Sequence, residues 1–298
     1  MVSKGFKNRY NVFDYANIVL MALVMIIMLY PMWYSVIGSL NEGKDFMRGG
    51  VYFWPRKFTI KNYQAIFFNN AIINAFGVTI ARCFIGTFSS LLITSMASYA
   101  LVSPILKGKK FYIPYIMFTM YFGGGLIPYF ILIKDLGLYN NFLVYIIPGL
   151  FSVWNTIIIQ SFFRDLPSSV FESARIDGAG EYRIFFQIAL PLSKPVLAAI
   201  VLFSFVGSWN SYFDSMMYTS SPQLQTIQLF LMKLITDPAS AKAMGRAAAQ
   251  SMPSQARQIT PQTLKLAAMT ITALPIITIY PFLQRYFVKG VMVGSIKG

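Results

Sequence analysis

The chain has 298 residues, of which 56% are hydrophobic and 12% charged, and it carries a formal net charge of +15. Soluble domains carry about 25% charged residues, so a water-soluble globule is excluded, and the same apolar content excludes a disordered or collagen-like chain. The absence of His and the single Cys, Cys83, exclude imidazole acid–base chemistry, imidazole metal sites, an internal disulfide and a thiolate cluster.

A helix needs about 20 mostly apolar residues to cross the hydrocarbon of a bilayer. Six stretches qualify, at residues 16–38, 72–102, 111–133, 142–163, 195–218 and 264–287. The first is too long for a cleavable signal, and Pro31, Trp33 and Tyr34 stand where small residues would be needed. The chain therefore reads as an all-α polytopic membrane protein, a single permease-like domain over residues 1–298 with six transmembrane helices. Gly43-Lys44 and Gly108-Lys109 are followed by Asp45 and Lys110 rather than Ser or Thr, so no Walker A loop is present. Any energetic work must draw on a partner or a gradient.

Basic residues near short loops set orientation. Lys4, Lys7 and Arg9 precede span one; Lys107, Lys109 and Lys110 follow span two; Arg164, Arg175, Arg183 and Lys194 follow span four; and Arg285, Lys289 and Lys297 end the chain. Six crossings place these groups on one side, assigned to the cytoplasm of a bacterial cytoplasmic membrane, with both termini there. The positive charge meets anionic headgroups of membrane lipid and not nucleic acid. The opposite side is not depleted, since Lys44, Arg48, Arg56, Lys57 and Lys61 lie in one long loop. Two outward segments, 39–71 and 219–263, are long enough to act. The second holds a small-residue run from Ala239 to Ala249 that suits a short helix, and reads either as a contact for an external partner or as a tolerated insertion.

The segment 167–195 between spans four and five is longer than a connector requires. Ser169 followed by Glu172 has the spacing of a capping box, Gly178 and Gly180 should stop the first helix, and a second helix is expected over 181–189. Tyr182, Phe185, Phe186 and Ala189 then share one face, and Pro191 and Pro195 close the segment. The product is a helix–turn–helix at the membrane surface that suits a groove on another protein.

Glu172-Ser173-Ala174, Asp177-Gly178-Ala179, Phe185, Ile188, Leu190-Pro191 and Pro195 resemble the EAA motif of ABC importer permeases, with Ser173 where that family usually has Ala. The six-span layout and the ending from Gln284 to Gly298 are similar to the shorter permease subunit of maltose-type carbohydrate importers. Phe122-Gly123-Gly124-Gly125-Leu126-Ile127-Pro128 and Leu136-Gly137-Leu138-Tyr139-Asn140 resemble a subgroup associated with oligosaccharides from complex polysaccharides. The resemblance implies a type I ABC importer permease fold and a non-catalytic role in a hetero-oligomer. Its partners would be a second homologous permease, two ATPase subunits and an extracytoplasmic solute-binding protein. It implies a carbohydrate substrate and no cofactor in this chain, ATP and Mg being held by the ATPase. By the same resemblance, Glu172, Ser173, Ala174, Asp177, Gly178, Ala179, Phe185 and Pro191 would couple to the ATPase, residues 219–263 would reach into the binding protein, and the tail from Lys289 would enter the ATPase dimer. Composition alone would make that tail a frayed basic end.

Ionisable residues within spans usually face a cavity or a partner. Trp209, Asn210, Tyr212 and Asp214 suit sugar recognition, ring against ring face and polar groups against hydroxyls; they equally suit an interfacial aromatic belt. Arg82 could attract a uronate, or could snorkel or pair with an acid on the partner permease. Trp154, Asn155, Gln160 and Tyr121 are weaker pathway candidates. The competing reading is a gradient-driven secondary transporter, which would call for an inverted repeat that the sequence does not display.

Overall fold

The structure, a computed structural model, describes residues 11–237, 239–240, 242–243, 246 and 259–295, with side chains to 279 and at 281 in the final helix. The described helices are α1 (Val12–Ser39), α2 (Gly43–Met47), α3 (Lys61–Phe67), α4 (Asn70–Val102), α5 (Lys109–Tyr121), α6 (Leu126–Asp135), α7 (Val153–Arg164), α8 (Ser168–Ile176), α9 (Glu181–Ile184), α10 (Leu190–Leu192), α11 (Lys194–Asn210), α12 (Phe213–Tyr218), α13 (Ile227–Thr236) and α14 (Pro261–Ser295). Among the described residues α1, α4 and α14 are long and apolar enough to cross a membrane alone, and three bent pairs raise the number of possible crossings to six.

The chain divides into two compact units, residues 1–69 with 237–271 and residues 70–236 with 272–298. In the first, the apolar run of α1 is unburied along its length until Ile37, Gly38 and Ser39, as expected of a lipid-facing helix. Its far end meets an aromatic turn: Trp33 donates Nε1–H to the Phe53 carbonyl at 3.1 Å and packs edge-on to Trp54 at 5.6 Å. Trp and Tyr are amphipathic and gather at the membrane–water boundary. Segment 39–71 is then tied by polar bonds. Asn62 donates to the Ser39 and Asn41 carbonyls at 2.8 and 3.0 Å and accepts from Thr263 Oγ1 at 3.0 Å. Two of its basic residues, Arg56 and Lys57, pair with Asp45 and Glu42. They serve the packing of the loop itself.

In the second unit α4 is the central helix, packing against both α7 and α11. Three expected spans differ from continuous helices. Residues 142–163 are two 3-10 turns, Phe142–Tyr145 and Ile147–Gly149, followed by α7 after a 44° bend. Residues 111–133 form α5 and α6, bent by 112°. Phe122 is extended and Gly125 has φ +84°, a conformation open mainly to glycine. At 10 residues α6 spans only about 15 Å. Residues 195–218 form α11 and α12, interrupted at Ser211 and Tyr212. Of the segment 219–263 the structure describes α13 and the approach to it, and most of the stretch 239–249 lies outside the described residues.

Asn140 holds the far end of this unit. It adopts φ +55°, a region Asn tolerates better than other side chains bearing a Cβ. Its N–H donates to the Tyr218 carbonyl at 2.8 Å, and its Oδ1 accepts from the N–H groups of Ser220 and Ser221 at 3.1 and 2.8 Å. Beneath it Ile133, Leu138, Val144, Tyr145, Ile146 and Tyr218 form a buried cluster. Replacing Asn140 with Val should cost about 1–3 kcal/mol from orphaned N–H groups and backbone strain, whereas Asn140→Gly should lose only the side-chain bonds. Thermal unfolding of the detergent-solubilised protein would order them wild type, Gly, Val; equal midpoints would contradict this role.

Candidate functional site: a coupling hairpin and a polar cavity

The hairpin begins at Ser168, with Pro167 at the N-cap and no side-chain cap bond. The expected capping box of Ser169 and Glu172 does not form. Proline fixes φ near the helical value and starts the helix earlier, which places Ser169 already inside it. The helix ends at Asp177. There the Gly178 N–H donates to the Arg175 carbonyl at 3.0 Å and the Ala179 N–H to the Ala174 carbonyl at 2.9 Å. These two bonds, with Gly178 at φ +79°, are a Schellman closure.

The second half is not one helix face. After α9 the backbone widens into a π-turn over Phe185–Ala189. Ile184, Phe185 and Ala189 are buried, while Tyr182 and Phe186 are exposed. The expected single face of Tyr182, Phe185, Phe186 and Ala189 is thus split. Phe185 and Ala189 turn into a cluster with Ile159, Phe163, Leu197 and Ile200. Ile176 and Tyr182, 85% and 74% exposed, lie outside with Glu172, Ser173, Asp177 and Gly178, while Ala174 and Ala179 are half-buried and Pro191 is exposed.

Glu181 fastens this hairpin to α4. Its Oε1 accepts from Arg175 Nε at 2.9 Å and its Oε2 from Tyr99 Oη at 2.6 Å. The Arg175 hydrogen bond, reinforced by that of Tyr99, holds the Glu181 carboxyl below its ordinary value against a smaller opposing effect of burial. The Tyr99 ring packs against Phe163 and Phe185 at 6.1 and 5.4 Å. Neither Tyr99 nor Glu181 belongs to the motif read from the sequence; an acid at the first position after the Gly turn was the available signal.

Seventeen residues back along α4, about 25 Å at 1.5 Å per residue, Arg82 forms an ion pair with Asp214. Its Nη1 donates to the Ser211 carbonyl at 3.2 Å, and the guanidinium lies 4.8 Å from the centroid of the Tyr145 ring. Ser211 Oγ adds a 3.2 Å bond to Asp214. The partner of Arg82 is therefore within this chain; neither snorkelling nor a partner-permease acid is needed. Beside the pair opens a polar cavity of about 370 Å³, lined by Arg82, Thr87, Tyr145, Asn155, Ser208 and Asp214 among others.

The structure thus brings Arg82, Asn155 and Asp214 together and separates them from the other sequence candidates. Trp209 is 2% exposed and donates Nε1–H to the Thr272 carbonyl at 3.1 Å; its indole is core, packed near Phe76 and Phe205. Asn210 is exposed and accepts from Gln228. Tyr212, Trp154 and Tyr121 are 36%, 64% and 72% exposed and do not line this cavity. Sequence reading missed Ser204, Gly207, Ser208 and Ser211, which line it. Their i, i+3, i+4, i+7 spacing was a legible signal.

Residues 73–293 match the family described as binding-protein-dependent transport system inner membrane component. The chain is 34% identical to Protein LplC of Bacillus subtilis (strain 168), covering 96% of this chain and 95% of that one. It is 32% identical to the polygalacturonan/rhamnogalacturonan transport system permease protein YtcP of the same organism, covering 98% and 100%. Its fold matches the crystal structure of a bacterial ABC transporter involved in the import of the acidic polysaccharide alginate, with TM-score 0.84, 28% identity and coverage of 93% and 96%. The chain belongs to the family of binding-protein-dependent transport system inner membrane components.

Tyr99→Phe keeps the ring packing and removes one of the two bonds to Glu181. Amide exchange over residues 174–185 should accelerate about tenfold; unchanged exchange would show that the bond does not hold the hairpin. Because the folded carboxyl sits below its ordinary value of 4.5, the stabilisation is present above that value and is lost as pH falls through the lower folded value. Protection in the wild type should therefore be flat from neutral pH to about 4.5 and decline only in more acid solution.

Proposed function

We propose that this chain is the membrane-spanning permease subunit of an ATP-driven importer that moves an oligosaccharide across the bacterial cytoplasmic membrane. The observation that carries this reading is the hairpin. Its inner face is locked into the bundle by Phe185, Ala189 and Glu181, while Glu172, Ile176 and Asp177 stand exposed around a Gly turn. An exposed and rigidly backed surface of this kind, with Ile176 between two carboxylates, suits a groove on a separate ATPase subunit. The family membership and the named substrates of YtcP and of the alginate importer support carbohydrate as the cargo.

In this reading ATP binds and is hydrolysed, with Mg, in two partner subunits, and closure of those subunits drives the hairpin as a lever. The chain pairs with a second, homologous permease, and the two bundles rock between inward-open and outward-open states. Both termini and the hairpin face the cytoplasm. Residues 219–263 face an extracytoplasmic solute-binding protein, and the tail from Lys289 enters the ATPase dimer. The substrate path runs along the face that carries Arg82, Asn155 and Asp214. Trp209 acts there only as support, since its indole is buried.

Gly178→Pro destroys the left-handed turn, and Glu172→Lys reverses a charge on the docking face. Both variants of the assembled complex should insert normally and lose about tenfold or more of ATP hydrolysis stimulated by ligand-loaded binding protein, as expected when a charged interface contact is reversed. Stimulation at the wild-type level in both would contradict the coupling role. Uptake by the purified chain alone, driven by an ion gradient, would favour a secondary transporter instead.

A further inference from the structure

The polar cavity has a charge balance that constrains what it can hold. On α4, Gly86 and Ser90 follow Arg82 at i+4 and i+8. On α11 Ser204, Gly207 and Ser208, and at its C-cap Ser211, face the same space. Hydroxyls both donate and accept, and at Gly207 a β-carbon would meet nothing within 4 Å. Among the described residues Arg82 and Asp214 are the only charged members of the lining, and they are engaged with each other, while the buried Arg82 Nε–H, withdrawn from the cavity, has no partner. The Arg82 side chain is 6% exposed and that of Asp214 37%, so the acid offers oxygen to the cavity while the cation is withdrawn. The Tyr145 ring lies under the guanidinium.

Two further observations point to a ligand here. The interruption of the fifth span at Ser211 leaves a carbonyl that Arg82 satisfies, and broken helices beside a cavity are where membrane transporters place substrate sites. Thr87, 2% exposed, has a hydroxyl with no hydrogen-bond partner, which is unusual for a buried polar atom.

We propose that this cavity is a subsite for an uncharged, polyhydroxylated unit of the transported carbohydrate, a neutral sugar ring and not a uronate. The inference rests on the import function above and names the chemistry its path accepts. A neutral ring exchanges its hydration for the serine hydroxyls, the Asn155 amide and the exposed Asp214 oxygen. A uronate brings a carboxylate into a space whose one cation is already paired. Either that charge stays unpaired beside the Asp214 carboxylate, or Arg82 leaves Asp214 and orphans it; both are costly. The volume, about 370 Å³, falls at the lower end of small-molecule sites.

The test uses the full complex of both permeases, ATPase subunits and binding protein in lipid nanodiscs. ATP hydrolysis is measured with binding protein loaded from a panel of neutral and uronate oligosaccharides of equal length. The wild type should respond more strongly to neutral ligands. Asp214→Asn leaves Arg82 as a free cation and should shift the neutral-to-uronate ratio about tenfold towards uronates. Should that variant not assemble, Arg82→Gln with Asp214→Asn removes both charges and should narrow the neutral preference towards an equal response; an unchanged ratio would count against the subsite. Thr87→Val, harmless to packing, should lower the neutral response by about tenfold; a purely structural threonine would show no such loss.

A wild type that responds best to uronates, a binding protein that loads uronates alone, or an unchanged ratio in Asp214→Asn would overturn the subsite. Hydrolysis that ignores every loaded ligand would overturn the importer reading and the subsite with it.

Discussion

A backbone surrounded by hydrocarbon has no water to satisfy its polar groups, so it must supply its own partners. The second unit leaves continuous helix at places where a side chain takes over that duty. At the break in the fifth span, Arg82 occupies the Ser211 carbonyl. Beyond α12, Asn140 collects the Ser220 and Ser221 N–H groups, and Tyr145 Oη donates to the Leu224 carbonyl at 2.6 Å. Trp209 gives its indole N–H to the Thr272 carbonyl. Each of these polar side chains is positioned by a different helix or turn from the group it serves, so the irregular segments are fastened across the bundle as well as along the chain.

This constraint also joins the two candidate functional regions. α4 carries Tyr99 near one end and Arg82 roughly 25 Å away. Tyr99 is bonded to the hairpin through Glu181, and Arg82 to the Ser211–Asp214 break. The hairpin runs through α10 into α11, which ends at that break. Two packed helices therefore span the distance between the exposed hairpin and the cavity, each fastened near the hairpin and again beside the cavity. A closely packed pair of this kind transmits displacement instead of absorbing it. The Arg175–Glu181 pair, partly exposed, contributes little by itself; the aromatic packing of Tyr99 on Phe163 and Phe185 makes the junction stiff.

What could be read from the sequence followed from how local each determinant is. The apolar runs are local, so the membrane helices were legible. The left-handed residue that ends α8 is local, so Gly178 was legible. Ser169 and Glu172 satisfied a local pattern, yet Pro167 two residues earlier decided where the helix began. The break at Ser211 carries no Gly or Pro, and its determinant, Arg82, lies 129 residues away. A hydropathy window therefore ran straight through it. Trp209 shows the limit of reading residue type: an indole suits a sugar face and a buried core equally, and only the Thr272 carbonyl distinguishes them. The Ser204–Ser211 stripe was visible at helical spacing, but small residues on a membrane helix equally suit close helix packing. Only the cavity opposite gives the stripe a second meaning.

Two glycines separate packing from conformation as reasons for the residue. At Gly38 a β-carbon would collide with Leu266 and Phe46, so the position is small because its neighbours are close. At Gly178 a β-carbon would meet nothing within 4 Å, but φ is +79°. That position is glycine for its backbone alone, and the space outside the turn is empty. A turn whose shape is set internally, with its outer surface unobstructed, allows another protein to approach the backbone closely without rearranging the bundle behind it. The requirement for glycine and the open outer surface therefore come from the same geometry, while Glu181 and Tyr99 fasten that geometry to α4.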